Sequence, residues 1–372
     1  MKSASAARAL ALLTFVCLVL VAAGFFAGRF LTLLPFQRLV ATWRKGERVD
    51  GVVQNPADRD ALAAAYLDPE RARRELAGYS WMPLNAMAPF VGHLLMHGTS
   101  ANATINVAGC RAKEQLVPQK GEGVFRILMT GGSVLYGSGA PSDETTIPAL
   151  LRAELQKSER FAGKRLELFA FAVPGWSTTH ERIAIENLIV DLQPDLVVSF
   201  SGLNDIQWSA NGQNVLWMRS YSDQHWYELV NAVLGACGQR PLASLEMPEP
   251  VGIAPERVAD RLLRNVDLAA HVLERARVPY VFVLQPAVQL TKKSLAQREK
   301  KWVTHEPKPG YTAACAAAIR SRLAGIGGTF RFVDLTPIFD ALLAEVEIFV
   351  DSVHFGDRGN LAVAKALAGL LP

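Results

Sequence analysis

The stretch FRILMTGGSVLYGSG, residues 125–139, passes from an apolar run straight into a cluster of small residues. A short apolar run that stops at glycines reads as a buried strand entering a turn. The same signal returns at LELFAFAV (166–173), DLVVSF (195–200), YVFVLQ (280–285) and FRFVD (330–334). Between these runs lie TIPALLRAELQ (146–156), HERIAIENLIVDL (180–192), ERVADRLLRNVDLAAHVLERA (256–276) and YTAACAAAIRSRLAGI (311–326), each with apolar residues spaced by three and four. That spacing is helical. The alternation predicts an α/β fold, a doubly wound five-stranded parallel sheet covered by helices on both faces. Ligands of such a sheet gather beyond the carboxyl ends of its strands, which is where residues 130–139 stand.

Three motifs compete for that loop. A phosphate-binding loop needs a lysine after its second glycine, and Gly137 is followed by Ser138 and Gly139, so nucleotide triphosphate binding is excluded there. A dinucleotide loop needs a third glycine where Ser142 stands, which excludes that cofactor too. The G-x-S-x-G elbow needs glycine where Leu135 stands. What remains is Ser133 on a tight strand-to-helix turn, a place where serine ordinarily serves as a turn or N-cap residue.

Other segments change the weight of that serine. In FVDSVHFGDRGNLAVAKALAGLL (349–371), Asp351 and His354 are three residues apart just ahead of a final helix. Histidine takes and returns protons near neutrality, and a carboxylate on one ring nitrogen leaves the other to accept a hydroxyl proton. Taken alone, the segment reads first as an Asp N-capping a helix beside a surface histidine. FAVPGWST (171–178) puts Gly175 on a sharp turn after the second strand, and SFSGLNDI (199–206) puts Asn204 just past the third. A backbone amide at the first and a side-chain amide at the second are suited to stabilise an oxyanion.

In this order Ser133, Gly175, Asn204 and His354 resemble the four sequence blocks of the SGNH hydrolase (GDSL esterase) superfamily, over residues 122–372. The resemblance implies a flavodoxin-like α/β/α domain with Ser133 as nucleophile, His354 as base and Asp351 as its partner. It also implies an oxyanion hole formed by the amides of Ser133 and Gly175 and the side chain of Asn204. The usual G-D-S reads Gly131-Gly132-Ser133 here, a change that leaves the nucleophile in place. INVAGCRAKEQ (105–115) is similar to the IN-x-x-G-[FY]-R stretch of a bacterial envelope-associated branch, with Cys110 at the aromatic position. The implied substrates are O-acyl, chiefly acetyl, esters of carbohydrates or small esters, with no cofactor and no metal. An O-acyltransferase modifying an envelope glycan shares the first half-reaction, and a non-catalytic glycan-binding or assembly protein is the alternative from another class. Such a binding protein has no use for a nucleophile, a base and oxyanion donors together.

The rest of the chain bounds this reading. With 39 basic against 35 acidic residues, and no basic run interleaved with aromatics, nucleic acid is an unsuitable partner. Cys17, Cys110, Cys237 and Cys315 have no metal-type spacing, although one disulfide can form among the last three. After residues 1–8, ALALLTFVCLVLVAAGFFAG (9–28) carries no charge, and about 20 such residues cross a bilayer. Residues 9–34 are read as an anchor, or an uncleaved signal, that makes the membrane a partner. Lys2 and Arg8 precede the run while Arg29, Arg38, Arg44, Lys45 and Arg48 follow it, a count that favours a cytoplasmic domain. The resemblance implies the extracytoplasmic side instead. Residues 35–121 form a lead-in, helical over 57–78 with a break near Pro69 and irregular over 79–120. Arg71, Arg73 and Arg74 mark a solvated face of that helix. An insertion at 207–250 carries Trp208, Trp217, Tyr221, Trp226 and Tyr227, either roofing the site or packing the insertion.

Overall fold

The structure, a computed structural model, describes residues 12–29, 60–79, 85–88, 90–210, 230–242, 253–304, 306, 308–324, 326 and 328–372. The chain divides into two units, Met1–Glu47 with His225–Ser244 and Arg48–Gln224 with Leu245–Pro372. In the first, helix α1 (Leu12–Arg29) is 18 residues long and exposed throughout, and it is long and apolar enough to cross a membrane.

The second unit begins with the lead-in. A 3₁₀ turn at Ala63–Ala65 is followed by α2 (Pro69–Glu75), whose first residue is Pro69. The break expected near Pro69 falls there because proline fits the first helical position, where no backbone donor is needed. Asp68 caps the helix, its Oδ1 accepting from Arg71 N at 2.9 Å. Arg71 and Arg73 pair on the exposed surface with Glu75 and Glu70. Residues 79–120, expected to be irregular, contain two small antiparallel pairs. β1 (Asn85–Ala88) pairs with β2 (Gly92–Leu95), and β3 (Gly98–Thr99) with β4 (Thr104–Ile105). Strands of two to four residues are too short to show alternation in sequence.

The main body is built in order. β5 (Val124–Gly131) is followed by α3 (Ser133–Tyr136) and α4 (Ile147–Leu155), and β6 (Arg165–Ala172) by α5 (Thr178–Ala184). β7 (Leu196–Ser201) leads to α6 (Leu203–Ala210) and α7 (Pro255–Arg275), and β8 (Tyr280–Leu284) to α8 (Gln297–Val303) and α9 (Tyr311–Leu323). β9 (Arg331–Asp334) precedes the last helix, α10 (Asp357–Leu370). The five strands form one sheet in the order β6-β5-β7-β8-β9, all parallel. The doubly wound five-stranded sheet expected from the sequence is therefore present. The stretch read as one helix over 180–192 instead continues from α5 through a π segment, Ile185–Ile189, and a 3₁₀ turn, Val190–Leu192.

Helices α4 and α10 pack together, and α7 packs with α5 and α9. Right-handed crossovers put these two groups on opposite faces of the sheet. All residues of β7 and β8 are buried, which is why these strands read as continuous apolar runs rather than alternating ones. The same core takes in Val91, Leu95, Ile105 and Cys110 from the lead-in. A second cluster packs Leu62, Tyr66 and Leu76 against Val350, the residue before Asp351. Burying each such Leu or Val side chain stabilises the fold by about 1.5–3 kcal/mol. Cys17, Cys110, Cys237 and Cys315 are all free thiols.

In this strand order the topology reverses between β5 and β7, the two strands whose crossovers leave in opposite directions. Their carboxyl ends frame the crevice that such sheets use for ligands.

Candidate active site

Ser133 opens α3 immediately beyond β5, with Gly132 as N-cap. At the start of a helix the first backbone N–H groups have no intrahelical acceptor, so the Ser133 amide is left facing the crevice end of the sheet. The turn is tight because the backbone folds back on Ser133. Its carbonyl accepts from Gly137 N at 3.0 Å and Ser138 N at 2.9 Å, with Gly137 at φ 84°.

His354 reaches the same place from the other end of the chain. Its Nε2 lies 2.6 Å from Ser133 Oγ, and its Nδ1 lies 2.7 Å from Asp351 Oδ2. The three-residue spacing has a local cause. Asp351 Oδ1 accepts from Val353 N at 2.8 Å and His354 N at 2.7 Å, so the carboxylate folds its own loop while the second oxygen holds the ring. Aspartate is suited to this kind of turn. Burial pushes the Asp351 carboxyl up, but His354 and the two backbone N–H groups outweigh it and hold the carboxyl below its usual value. A carboxylate that stays ionised fixes the imidazole with its Nδ1 protonated, leaving Nε2 to accept from the serine hydroxyl. The loop itself is braced by a bridge between Phe349 and Phe355 and by Val350 N donating to His354 O at 2.9 Å.

Two loops flank the serine. Gly175 has φ 87°, a left-handed conformation that glycine adopts without strain. Its carbonyl accepts from Trp208 Nε1 at 3.0 Å. The next residue, Trp176, is fully buried, and its carbonyl accepts from Asn204 Nδ2 at 2.6 Å. Asn204 therefore spends one amide hydrogen on holding the Gly175–Trp176 loop and keeps a second donor. Its amide nitrogen also lies against Gly132, since a Cβ on that residue would come within 2.4 Å of Nδ2. The structure thus joins Ser133, His354 and Asp351 in one hydrogen-bonded chain and sets Asn204 between the loops of Gly132 and Gly175. All five residues assigned from sequence are half-buried among buried neighbours.

Next to these loops lies a buried polar layer, in which Asp205 and His180 are read from the sequence as structural and Glu181 with its hydroxyl partners is not singled out there. Glu181 accepts from Ser201 Oγ and, at 2.8 Å, from Thr130 Oγ1, which is 2.6 Å from Ser199 Oγ. Burial, helped by the charge of Asp205, pushes the Glu181 carboxyl up to about 7 against the pull of those hydroxyls. Asp205, next to Asn204, accepts from Thr178 N at 3.0 Å and Thr178 Oγ1 at 2.6 Å. His180 stacks on Trp176 at 6.2 Å and closes the cap of α5, its Nδ1 accepting from Ser177 N at 3.2 Å. Burial lowers its ring to about 3, so it is neutral. Both Asp205 and His180 serve structure here. Trp208 lies in α6, whereas Trp217, Tyr221, Trp226 and Tyr227 of the insertion fall outside the described residues. Among the described residues no cluster of His, Cys, Asp and Glu is arranged to hold a metal ion.

No family model matches the sequence, and no curated protein matches it. Among solved structures the chain is similar to the acetyl xylan esterase AlAXEase, at 14% identity over 67% of this chain and 100% of that one, with a TM-score of 0.38. It is similar to a GDSL-like lipase from Bacteroides thetaiotaomicron at 11% identity, over 66% of this chain and 86% of that one, TM-score 0.33. It is also similar to LAE5, an alpha/beta hydrolase enzyme from the metagenome of Lake Arreo, Spain, at 18% identity, over 67% and 96%, TM-score 0.37.

Proposed function

We propose that this protein is a serine carboxylic ester hydrolase of the SGNH type. The observation that carries this reading is the unbroken chain Asp351 Oδ2···His354 Nδ1 and His354 Nε2···Ser133 Oγ, at 2.7 and 2.6 Å, on half-buried side chains. A hydroxyl held this close to an imidazole nitrogen whose other nitrogen is bound to a carboxylate is a nucleophile with its base in place.

The reaction runs in two halves. Ser133 Oγ attacks the ester carbonyl carbon while its proton passes to His354 Nε2. The carbonyl π pair moves to oxygen, where the amides of Ser133 and Gly175 and the second N–H of Asn204 stabilise it. The tetrahedral species collapses, the C–O bond to the alcohol breaks, and the alkoxide leaves with the proton from His354. Water then attacks the acyl-serine, giving its proton to His354. Collapse releases the carboxylic acid and returns the proton to Ser133. Asp351 stabilises the imidazolium formed in each half.

Acetyl esters of carbohydrates and other small O-acyl esters are the substrate class proposed, and α1 holds the protein at a membrane with the catalytic unit on the extracytoplasmic side. A reporter fused after Pro372 tests the orientation, because it works on one side only. Turnover of p-nitrophenyl acetate by the full chain in detergent tests the chemistry, provided that Ser133→Ala abolishes it. A folded wild type that turns over no faster than Ser133→Ala refutes the esterase reading.

A further inference from the structure

The INVAGCR segment lies outside the residues that do the chemistry, yet its last residue is spent on the nucleophile. Arg111 is buried, and its guanidinium faces the far end of the turn that Ser133 begins. Nη1 donates to Gly137 O at 2.8 Å and Tyr136 O at 3.3 Å. Nη2 donates to Asn102 O at 2.6 Å and Ala140 O at 3.3 Å, and Nε pairs with Asp143 Oδ1 at 3.1 Å. The guanidinium also sits 5.0 Å from the centre of the Tyr136 ring.

α3 is a single turn, too short to hold itself, and its last carbonyls have no helical partners. Arg111 takes the carbonyl of Tyr136, the last residue of α3, and that of its C-cap Gly137, which also accepts from Ala140 N at 2.8 Å. The path back to the nucleophile is short. Gly137 N and Ser138 N both donate to Ser133 O, and Tyr136 N donates to Gly132 O at 3.0 Å.

The remainder of the segment aims Arg111. Asn106 is fully buried and bonds across its own loop, accepting from Cys110 N at 2.9 Å through Oδ1 and donating to Glu114 O at 2.9 Å through Nδ2. Gly109 supplies the left-handed turn at φ 81°. Ile105 and Cys110 are buried in the main core, and Ile105 bridges to Arg111. Asp143 fixes the guanidinium and also accepts from Thr104 N at 3.1 Å.

We infer that Arg111 is a positioning residue for the nucleophile, holding the Ser133–Gly137 turn in the geometry that directs both the hydroxyl and the amide of Ser133. The inference rests on the esterase reading and deepens it. Lysine keeps the charge beside Asp143 but is a point donor, unable to span four carbonyls with a rigid fork.

The test uses the full chain in detergent, with Arg111→Lys, Arg111→Ala and Ser133→Ala beside wild type. Activity toward p-nitrophenyl acetate is expressed per folded molecule, and amide hydrogen exchange is read at residues 136–138. A misplacement of about 1 Å costs on the order of 10²-fold in rate. Both Arg111 variants are therefore expected to lose about that in kcat with KM within about twofold, and to exchange faster at 136–138. Millimolar guanidinium is expected to restore part of the activity of Arg111→Ala and none of Ser133→Ala. The inference is overturned if either variant keeps kcat within about threefold of wild type or leaves exchange at 136–138 unchanged. It is equally overturned if the activity lost merely follows the folded fraction and guanidinium restores none. A wild type no faster than Ser133→Ala sinks the esterase reading instead, and exchange at 136–138 then decides the role of Arg111 alone.

Discussion

Ser133 Oγ and His354 Nε2 lie 2.6 Å apart although 221 residues separate them in the chain. The contact exists because the first strand of the sheet and the loop before the last helix end on the same side of it. Asp351 makes the contact directional by holding Nδ1 of the same ring at 2.7 Å.

Replacing Asp351 with Asn removes the carboxylate that fixes the ring tautomer. A fall in kcat of about 10⁴-fold is expected, smaller than that of His354→Ala, with the pair no slower than His354→Ala alone, since members of such a unit do not act additively. Kinetics of the single variants and of the Asp351→Asn/His354→Ala pair check this. A double variant far slower than either single one contradicts it.

Asn204→Ala deletes the proposed oxyanion donor and also frees the Trp176 carbonyl from its 2.6 Å bond. A kcat loss of about 10²–10³-fold is expected. Gly132→Ala reaches the same donor from the other side, because its Cβ meets Asn204 Nδ2 at 2.4 Å and the amide must move. Both should spare KM, and steady-state kinetics with one ester will show whether they do.

The residues of the candidate site were legible in the sequence because their types recur at loop positions after strands. The glycines and serine at 131–133, Gly175, Asn204 and the Asp351–His354 spacing all sit at such positions, and the strands announce themselves by continuous apolar runs. The residues that surround the candidate site were not legible. Arg111 and Asp143 look like ordinary surface charges until Asn106 and Gly109 bend the chain around them, and strands β1 to β4 are shorter than any periodicity. Glu181 and Glu299 stand in helical stretches rich in charge, where nothing local tells a buried carboxylate from a solvated one.

Glu181 gives a pH signature. Its carboxyl is raised in the folded protein to about 7, so between the ordinary carboxylate range and pH 7 the folded state binds the proton more tightly than the unfolded chain. Stability from this group is therefore present at low pH and lost as pH rises through 7, by on the order of 2–3 kcal/mol. Urea unfolding of wild type and Glu181→Gln at pH 5 and pH 8.5 reads this directly. The loss with rising pH should be smaller in the variant by that amount, and equal slopes in the two proteins would argue against it.

Glu299 ties the base loop to the body. It pairs with Lys293 Nζ at 2.8 Å, both side chains being fully buried, and accepts from Ile348 N at 2.8 Å and Phe349 N at 3.0 Å. Burial raises this carboxyl, but those donors outweigh it and keep it below its usual value. Glu299→Ala leaves the ammonium of Lys293 without its carboxylate partner, and breaking a buried pair in this way costs about 3–5 kcal/mol. Chemical denaturation should show a midpoint shift of that size. Replacing Lys293 with Met and Glu299 with Gln, which removes both charges and keeps an acceptor for Ile348 N and Phe349 N, should recover part of it.

The most direct measurement is the covalent adduct itself. The full chain is incubated with a fluorophosphonate and digested with trypsin, and the peptide from Ile127 to Arg152, which contains Ser133, is examined by mass spectrometry. One adduct on Ser133 is expected in wild type, with labelling slowed strongly in His354→Ala and lost in Ser133→Ala. Folded wild-type protein that takes no label, or takes it equally well in Ser133→Ala, would contradict the assignment of Ser133 as an activated nucleophile.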